Sequence, residues 1–381
     1  MTDQTQPPLE AFFVLPIAVD LLLKGARRGI IGGMERREFT LGENDAGRRL
    51  DRILRRVLKE SSQSTVEGAL RKGLVRLNGK KAAASAITSA GDVLSCASFL
   101  LADAFSQGPE AAQNEVSAKS DGGAPLYASR KSADLFQAPK APAPAACPYP
   151  IVFKNEHLLL IDKPAGVAVH GAGSVAEFFA QQKTDSLAFA PAPLHRLDKG
   201  TSGLLAVSQS LAGARWFCQK IATHEIKKFY WGIVCGSLDR EETWEDQLNL
   251  EGVGAFHTPQ AVLQAEPAPF GASQNAGRVK TVRAKTIATP LKRGLYNGAP
   301  ITLVQFQIFT GRKRQIRAQC AARNIPLLGD NRYGQSAPTG RFYLRAVRLE
   351  FPKNELGLPP KIDITDSKEC QDFLAFFDKS R

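Results

Sequence analysis

Between residues 50 and 58 the apolar positions are Leu50, Ile53, Leu54, Val57 and Leu58. Steps of i, i+3, i+4, i+7 and i+8 put a single apolar stripe on a helix. Around that stripe lie Arg48, Arg49, Arg52, Arg55, Arg56 and Lys59, so the remaining face is basic. A second short helix follows, with Val66, Ala69 and Leu70 inward and Arg71 and Lys72 at its end. Gly73 suits its stop. Val75-Arg76-Leu77 alternates as a strand, Asn78-Gly79 signals a hairpin, and Ala90-Gly91-Asp92 turns into Val93-Leu94. Residues 36–96 therefore read as one compact α+β unit.

From 103 to 149 the pattern disappears into Ala, Ser, Gly, Gln and Pro, ending in Pro139-Lys140-Ala141-Pro142-Ala143-Pro144. Such a composition buries too little apolar area to offset ordering entropy, and 97–149 reads as a flexible linker stiffened by proline at its end. Beyond it, Ile151–Phe153, Leu158–Ile161, Gly203–Val207, Lys228–Cys235 and Ile301–Ile308 read as strands, and Leu211–Thr223 and Arg314–Arg323 as helices. They alternate without a regular βαβ repeat. The expected fold of 150–352 is therefore α+β, with a mixed, mostly antiparallel sheet. The stretch 242–280 is loop-rich and predicts no element. Residues 353–381 read as a polar tail with one short helix.

Composition narrows the partners. The chain has 381 residues, 43% of them hydrophobic, and a formal charge of +13. That charge points to a polyanion, and its spread over folded-looking segments favours nucleic acid over a membrane surface. The run Ala11–Leu23 is too short to span a bilayer and has its acids before it and its bases after, the reverse of a secretory signal. Met34 reads as a clean start, so residues 1–33 are expected to be a dispensable or untranslated extension. Six scattered cysteines make neither a zinc pattern nor a disulfide framework. They read as thiols of a cytoplasmic protein.

The densest chemistry lies in Pro193-Leu194-His195-Arg196-Leu197-Asp198-Lys199-Gly200-Thr201-Ser202-Gly203. An acid between basic residues runs through a Gly/Ser/Thr turn into an apolar strand. Basic neighbours favour the charged carboxylate and attract an anionic substrate; the plainer alternative is a turn aspartate. His195-Arg196-Leu197-Asp198 with Thr201-Ser202-Gly203 resembles the active-site loop of RluA-type RNA pseudouridine synthases. Lys228-Phe229-Tyr230, Thr310-Gly311-Arg312-Lys313-Arg314-Gln315-Ile316-Arg317, and Pro326-Leu327-Leu328-Gly329-Asp330 with Tyr333-Gly334 resemble that family's other motifs, in its order. Arg49-Leu50-Asp51, Arg71-Lys72-Gly73-Leu74-Val75, Asn78-Gly79 and Gly91-Asp92 resemble an S4 RNA-binding domain.

The resemblance implies conversion of uridine to pseudouridine in RNA, with no cofactor or metal. Asp198 is then expected to act at the sugar, Tyr230 against the base, and Arg312 to pair with Asp198. His195, Arg196, Lys228, Arg314, Gln315 and Arg317 are expected to bind the RNA substrate. Arg48, Arg49, Arg52, Arg71 and Lys72 are the expected S4 contacts. Asp330, the other carboxylate a glycosidase would need, is assigned a turn role. Two positions depart from the family: Arg314 and Arg345 stand where histidine is usual, which puts RNA-backbone contacts and target choice in question. The expected protein is a monomer acting on large-subunit ribosomal RNA. The alternatives are transfer RNA as substrate, or a non-catalytic RNA-binding or ribosome-assembly factor; a nucleoside or glycoside hydrolase is a distant third.

Overall fold

The computed structural model describes residues 27–31, 34–58, 62–101, 146–182, 184–249, 281–334 and 341–378. Most of the linker, the run 11–23 and most of 242–280 lie outside them. The chain divides into two compact units, Met1–Ala146 with Gln181–Ala190, and Cys147–Ala180 with Pro191–Arg381.

The first unit contains strands β1 (Arg27–Ile31) and β2 (Met34–Thr40), helices α1 (Leu50–Val57) and α2 (Gln63–Arg71), then β3 (Val75–Leu77) and β4 (Val93–Ala97). The strands form an antiparallel sheet in the order β1-β2-β4-β3. The helical periodicity of α1 is realised, with Leu50, Ile53, Leu54 and Val57 buried and Arg52, Arg55 and Arg56 exposed. Ser62 caps α2 by accepting the Thr65 N–H.

Two expectations change here. β1 lies inside the stretch read as an extension and pairs with β2 along its whole length, so a start at Met34 removes an edge strand. Asn78 and Gly79 do form a turn with both φ positive, but only one bridge, Leu77 to Lys80, closes behind it. The partner of β3 is β4, because the Asn78 side chain accepts the Val93 N–H and donates to Asp92.

Gln181–Ala190 completes this unit. Asp45 is fully buried and accepts from the Ser186 hydroxyl at 2.6 Å and from the Leu187 and Ala188 N–H groups. Arg48 donates to the Ala188 carbonyl at 2.7 Å. Leu187 and Ala188 join the hydrophobic core of α1 and α2.

The second unit contains β5 (Ile151–Lys154), β6 (Leu158–Lys163), α3 (Val175–Ala180), β7 (Ser202–Ser208), α4 (Leu211–Ala222), β8 (Lys227–Cys235), β9 (Glu242–Asn249), β10 (Thr281–Tyr296), β11 (Ala299–Ile308), α5 (Gln315–Ala322), β12 (Leu344–Glu350), β13 (Lys361–Asp363) and α6 (Lys368–Asp378). Its sheet runs β5-β6-β7-β12-β8-β11-β10-β9, with β13 on β12. Every pairing is antiparallel except β7 with β12. This is the expected α+β class, with its mixed sheet.

All seven residues of β7 are buried. Leu205 and Val207 face one core and Leu204 and Ala206 the other, so this strand reads as a continuous apolar run. Two stretches depart from expectation. Residues 242–249, read as loop, form β9, where Trp244 is buried on Phe306. The expected polar tail folds back as β13 and α6, which buries Cys370, Phe373 and Phe377 against the sheet.

Candidate active site

Asp198 lies on the loop entering β7, and the loop is held at several points. The Thr201 N–H donates to the Asp198 carbonyl at 3.0 Å, and the Gly166 N–H donates to the Lys199 carbonyl at 2.8 Å. His195 accepts the Ala206 N–H through Nε2 at 3.0 Å and stacks on Phe217. Burial, with the Lys228 charge beside it, pushes its imidazole down to about 3. His195, expected to bind the substrate, lines the cleft and also serves as a neutral pin for the loop.

β12 lies between the strand that follows Asp198 and the strand that carries Tyr230. Ala346 pairs with Gly203 of β7 and with Tyr230 of β8. Gly203 has φ +105°, and a Cβ there would sit 2.1 Å from the Ala346 carbonyl oxygen. Only glycine permits this approach, which brings the Asp198 loop down beside Tyr230. Tyr230 is buried, and its phenol is pushed up by burial and secondarily by Asp198. It remains a neutral ring and proton donor at physiological pH.

The cation beside Asp198 is Arg317, with Nη1 3.5 Å from Oδ2. This replaces the expected pairing with Arg312, whose Nε donates to the Arg283 carbonyl. Arg312 precedes α5, at an exposed rim, whereas Arg317 lies within its first turn and faces inward. Arg317 donates twice to the fully buried Asp330, at 2.7 Å each, and lies over Phe342. Asp330 also accepts the Arg332 and Tyr333 N–H groups. Burial works against the Arg317 charge, but Asp330 and then Asp198 outweigh it and raise its pKa. Asp330 thus holds the turn, as expected, and also aims the guanidinium at Asp198.

Gln315 is corrected from substrate contact to internal brace. Its Oε1 accepts from the Thr310 hydroxyl and the Arg312 N–H, and its Nε2 donates to the Lys285 carbonyl and Thr286 Oγ1. Arg314 is the left-handed residue before α5, at φ 56°. It lines the cleft, as do Arg196 and Lys228. Arg345 is corrected too. It is 1% exposed and paired with Asp162 and Glu369, so its replacement of histidine changes an internal ion pair and not an RNA-backbone contact.

The Asp198 loop borders two adjoining clefts. One, of about 360 Å³, is lined by Asp198, Lys228, Tyr230, Ile308, Leu344 and the 310–317 segment. The other, of about 600 Å³, is lined by His170, Arg196, Lys199, Lys313, Arg314 and Arg341 around the same aspartate. Arg196, Lys313, Arg314 and Arg317 line both, a basic wall that suits a polyanion backbone. The first adds Tyr230, Ile308 and Leu344 beside the one carboxylate and suits a single extruded base. Lys228 shares the buried face of β8 with Tyr230, and burial pushes it down to about 8.

Residues 157–322 match the family described as RNA pseudouridylate synthase, and residues 48–94 match the S4 domain. The chain carries an RNA pseudouridylate synthase domain, the domain of an isomerase, preceded by an S4 domain. Its relatives include ribosomal large subunit pseudouridine synthase C of Vibrio parahaemolyticus serotype O3:K6, 26% identical over 83% of this chain and 89% of that one. They also include tRNA pseudouridine synthase C of Vibrio cholerae serotype O1, 29% identical over 54% of this chain and 83% of that one. Among solved structures, human RNA pseudouridylate synthase domain containing 1 aligns over 56% of this chain and 82% of its own, at 23% identity and a TM-score of 0.42.

In the S4 domain Arg49, Arg52, Arg71 and Lys72 are exposed on α1, α2 and their ends. Arg48 is partly engaged by Ala188. No helix among the described residues is long and apolar enough to cross a membrane.

Proposed function

We propose that this synthase modifies large-subunit ribosomal RNA, with Asp198, Tyr230 and Arg317 as its catalytic groups. The observation that carries the reading is the Asp198 carboxylate facing Arg317 on a pinned loop, beside the buried ring of Tyr230. The target uridine leaves the helix stack and its base enters the cleft lined by Tyr230, Ile308 and Leu344. Asp198 acts at the sugar, by adding to a reactive carbon or by taking a proton. The N1–C1′ bond breaks, the base turns against Tyr230, and C5 bonds to C1′. The C5 proton is then lost and N1 gains one, so the atoms balance as an isomerisation. Arg317 holds the carboxylate in place throughout, with a geometry that lysine does not offer.

Arg196, Lys228, Arg312 and Arg314 bind the strand around the target, and Arg49, Arg52, Arg71 and Lys72 bind a second RNA surface. Ribosomal RNA is favoured over transfer RNA because similarity to the large-subunit enzyme extends over 83% of the chain, against 54% for the transfer-RNA enzyme. Action as a monomer in the cytoplasm is part of this reading; the free cysteines fit a reducing compartment. Tritium release from C5-labelled uridine in unmodified ribosomal and transfer RNA tests the reading. Wild type should release it from large-subunit RNA and Asp198→Ala should not. Tight binding to RNA without release would leave a binding factor.

A further inference from the structure

A second group of charges lies beneath the Asp198 loop and lines neither of the two clefts. Arg345 on β12 donates to Asp162 of β6 at 2.6 Å and to Glu369 of α6 at 2.5 Å. Glu369 also accepts the hydroxyl of Ser202 at 2.8 Å. Ser202 opens β7, four residues after Asp198, and pairs with Arg345 across the parallel β7–β12 register. On the other side of Arg345, β12 pairs with β8 at Trp231, next to Tyr230. Next to Asp162, Lys163 is fully buried and donates to the Pro164 and Val167 carbonyls. That fixes the turn whose Gly166 N–H holds Lys199.

These bonds all run to segments that carry the Asp198 loop or border Tyr230. Cys370, Phe373 and Phe377 seat α6 on the sheet through apolar contacts. To that packing the charged bonds add direction, tying the helix to Ser202 and Arg345 in particular.

We propose that Glu369 is a positioning residue: by accepting from Ser202 and Arg345 together, it sets the Asp198 loop at its working height beside Tyr230, making the C-terminal helix part of the active-site scaffold. This inference rests on the synthase reading. Misplacement of about 1 Å at a reacting group costs on the order of a hundredfold in rate, and a loosened anchor four residues away should cost less. Glu369 lines neither cleft, so its loss should act on turnover and not on RNA binding.

The test measures tritium release by the full chain on unmodified large-subunit ribosomal RNA, with thermal melts of each variant. Glu369→Ala should lower kcat about tenfold with KM within about twofold of wild type. Glu369→Gln, which keeps an acceptor for Ser202, should recover much of the loss. Asp372→Ala, on the exposed side of the same helix, should behave as wild type. A folded Glu369→Ala with unchanged kcat, or with a raised KM and unchanged kcat, overturns the proposal. Should Glu369→Ala fail to fold, Ser202→Ala decides: a lowered kcat supports the anchor and an unchanged one overturns it. No release by wild type would overturn the synthase reading itself, which separates that failure from this one.

Discussion

Arg312 and Arg317 lie five residues apart in one motif, and their environments differ. Arg317 is clamped twice by Asp330 and faces Asp198, while Arg312 reaches a backbone carbonyl at the cleft rim. Arg317→Lys should lower kcat by at least about a hundredfold, because an ammonium cannot serve Asp330 in two bonds and still face Asp198. Arg317→Ala also strands the buried Asp330 carboxylate and should cost about 3–5 kcal/mol of stability in urea melts. Arg312→Lys should keep kcat near wild type and raise KM for RNA.

Lys228 supplies a pH test of the same cleft. Its folded value is about 8, lowered by burial from an ordinary 10.5. Below pH 8 both folded and unfolded chains hold the proton, and the burial penalty is present in full. Between pH 8 and 10.5 the folded chain releases it first, so this group's contribution makes stability rise with pH. Melting temperatures of wild type minus Lys228→Met should therefore increase across that window. A flat difference would place the ammonium in solvent.

At the scale of elements, the site is made by strand order. Asp198 lies on the loop entering β7 and Tyr230 lies within β8, and these strands are not neighbours; β12, from far along the chain, lies between them. Gly203 lets the β7 end approach the β12 backbone closely enough for the loop to overhang β8. α5 presents Arg317 from its buried face, and Gln315 braces the turn before it by using all its hydrogen-bonding capacity inside the fold. α6, through Glu369, reaches the same loop from the chain's end, and its kcat effect belongs to this scale.

At the scale of the whole molecule, two compact units offer basic surface. The S4 arginines lie on helices whose apolar stripe is buried in their own core, so their charges can be removed at little cost to folding. Replacing Arg49, Arg52, Arg55 and Lys72 together with alanine should weaken RNA binding. The slope of log K against log salt should flatten by about 0.7–0.9 for each phosphate that is no longer neutralised. Tritium release from saturating RNA should change far less than the apparent KM. An unchanged salt slope would mean that this face does not touch RNA.

Residue order alone determined the class of the fold and the S4 helices, and it singled out Asp198 and Tyr230 as candidates. Each of these depends on local spacing or on a contiguous motif: the five apolar positions of α1, the continuous apolar run of β7, the turn chemistry around Asp198. β9 escaped notice because its alternation is Glu242, Trp244, Asp246 and Leu248, in which a buried carboxylate stands among the inward positions. The C-terminal segment looked like a polar tail because its apolar residues bury only against strands far away in sequence. Tertiary structure decided which arginine faces Asp198, why Asp330 is needed, and that Gln315 and Arg345 point inward. Charge pairing and burial depend on distance in space, and the partners of Arg317 and Arg345 lie 13 to 183 residues away along the chain.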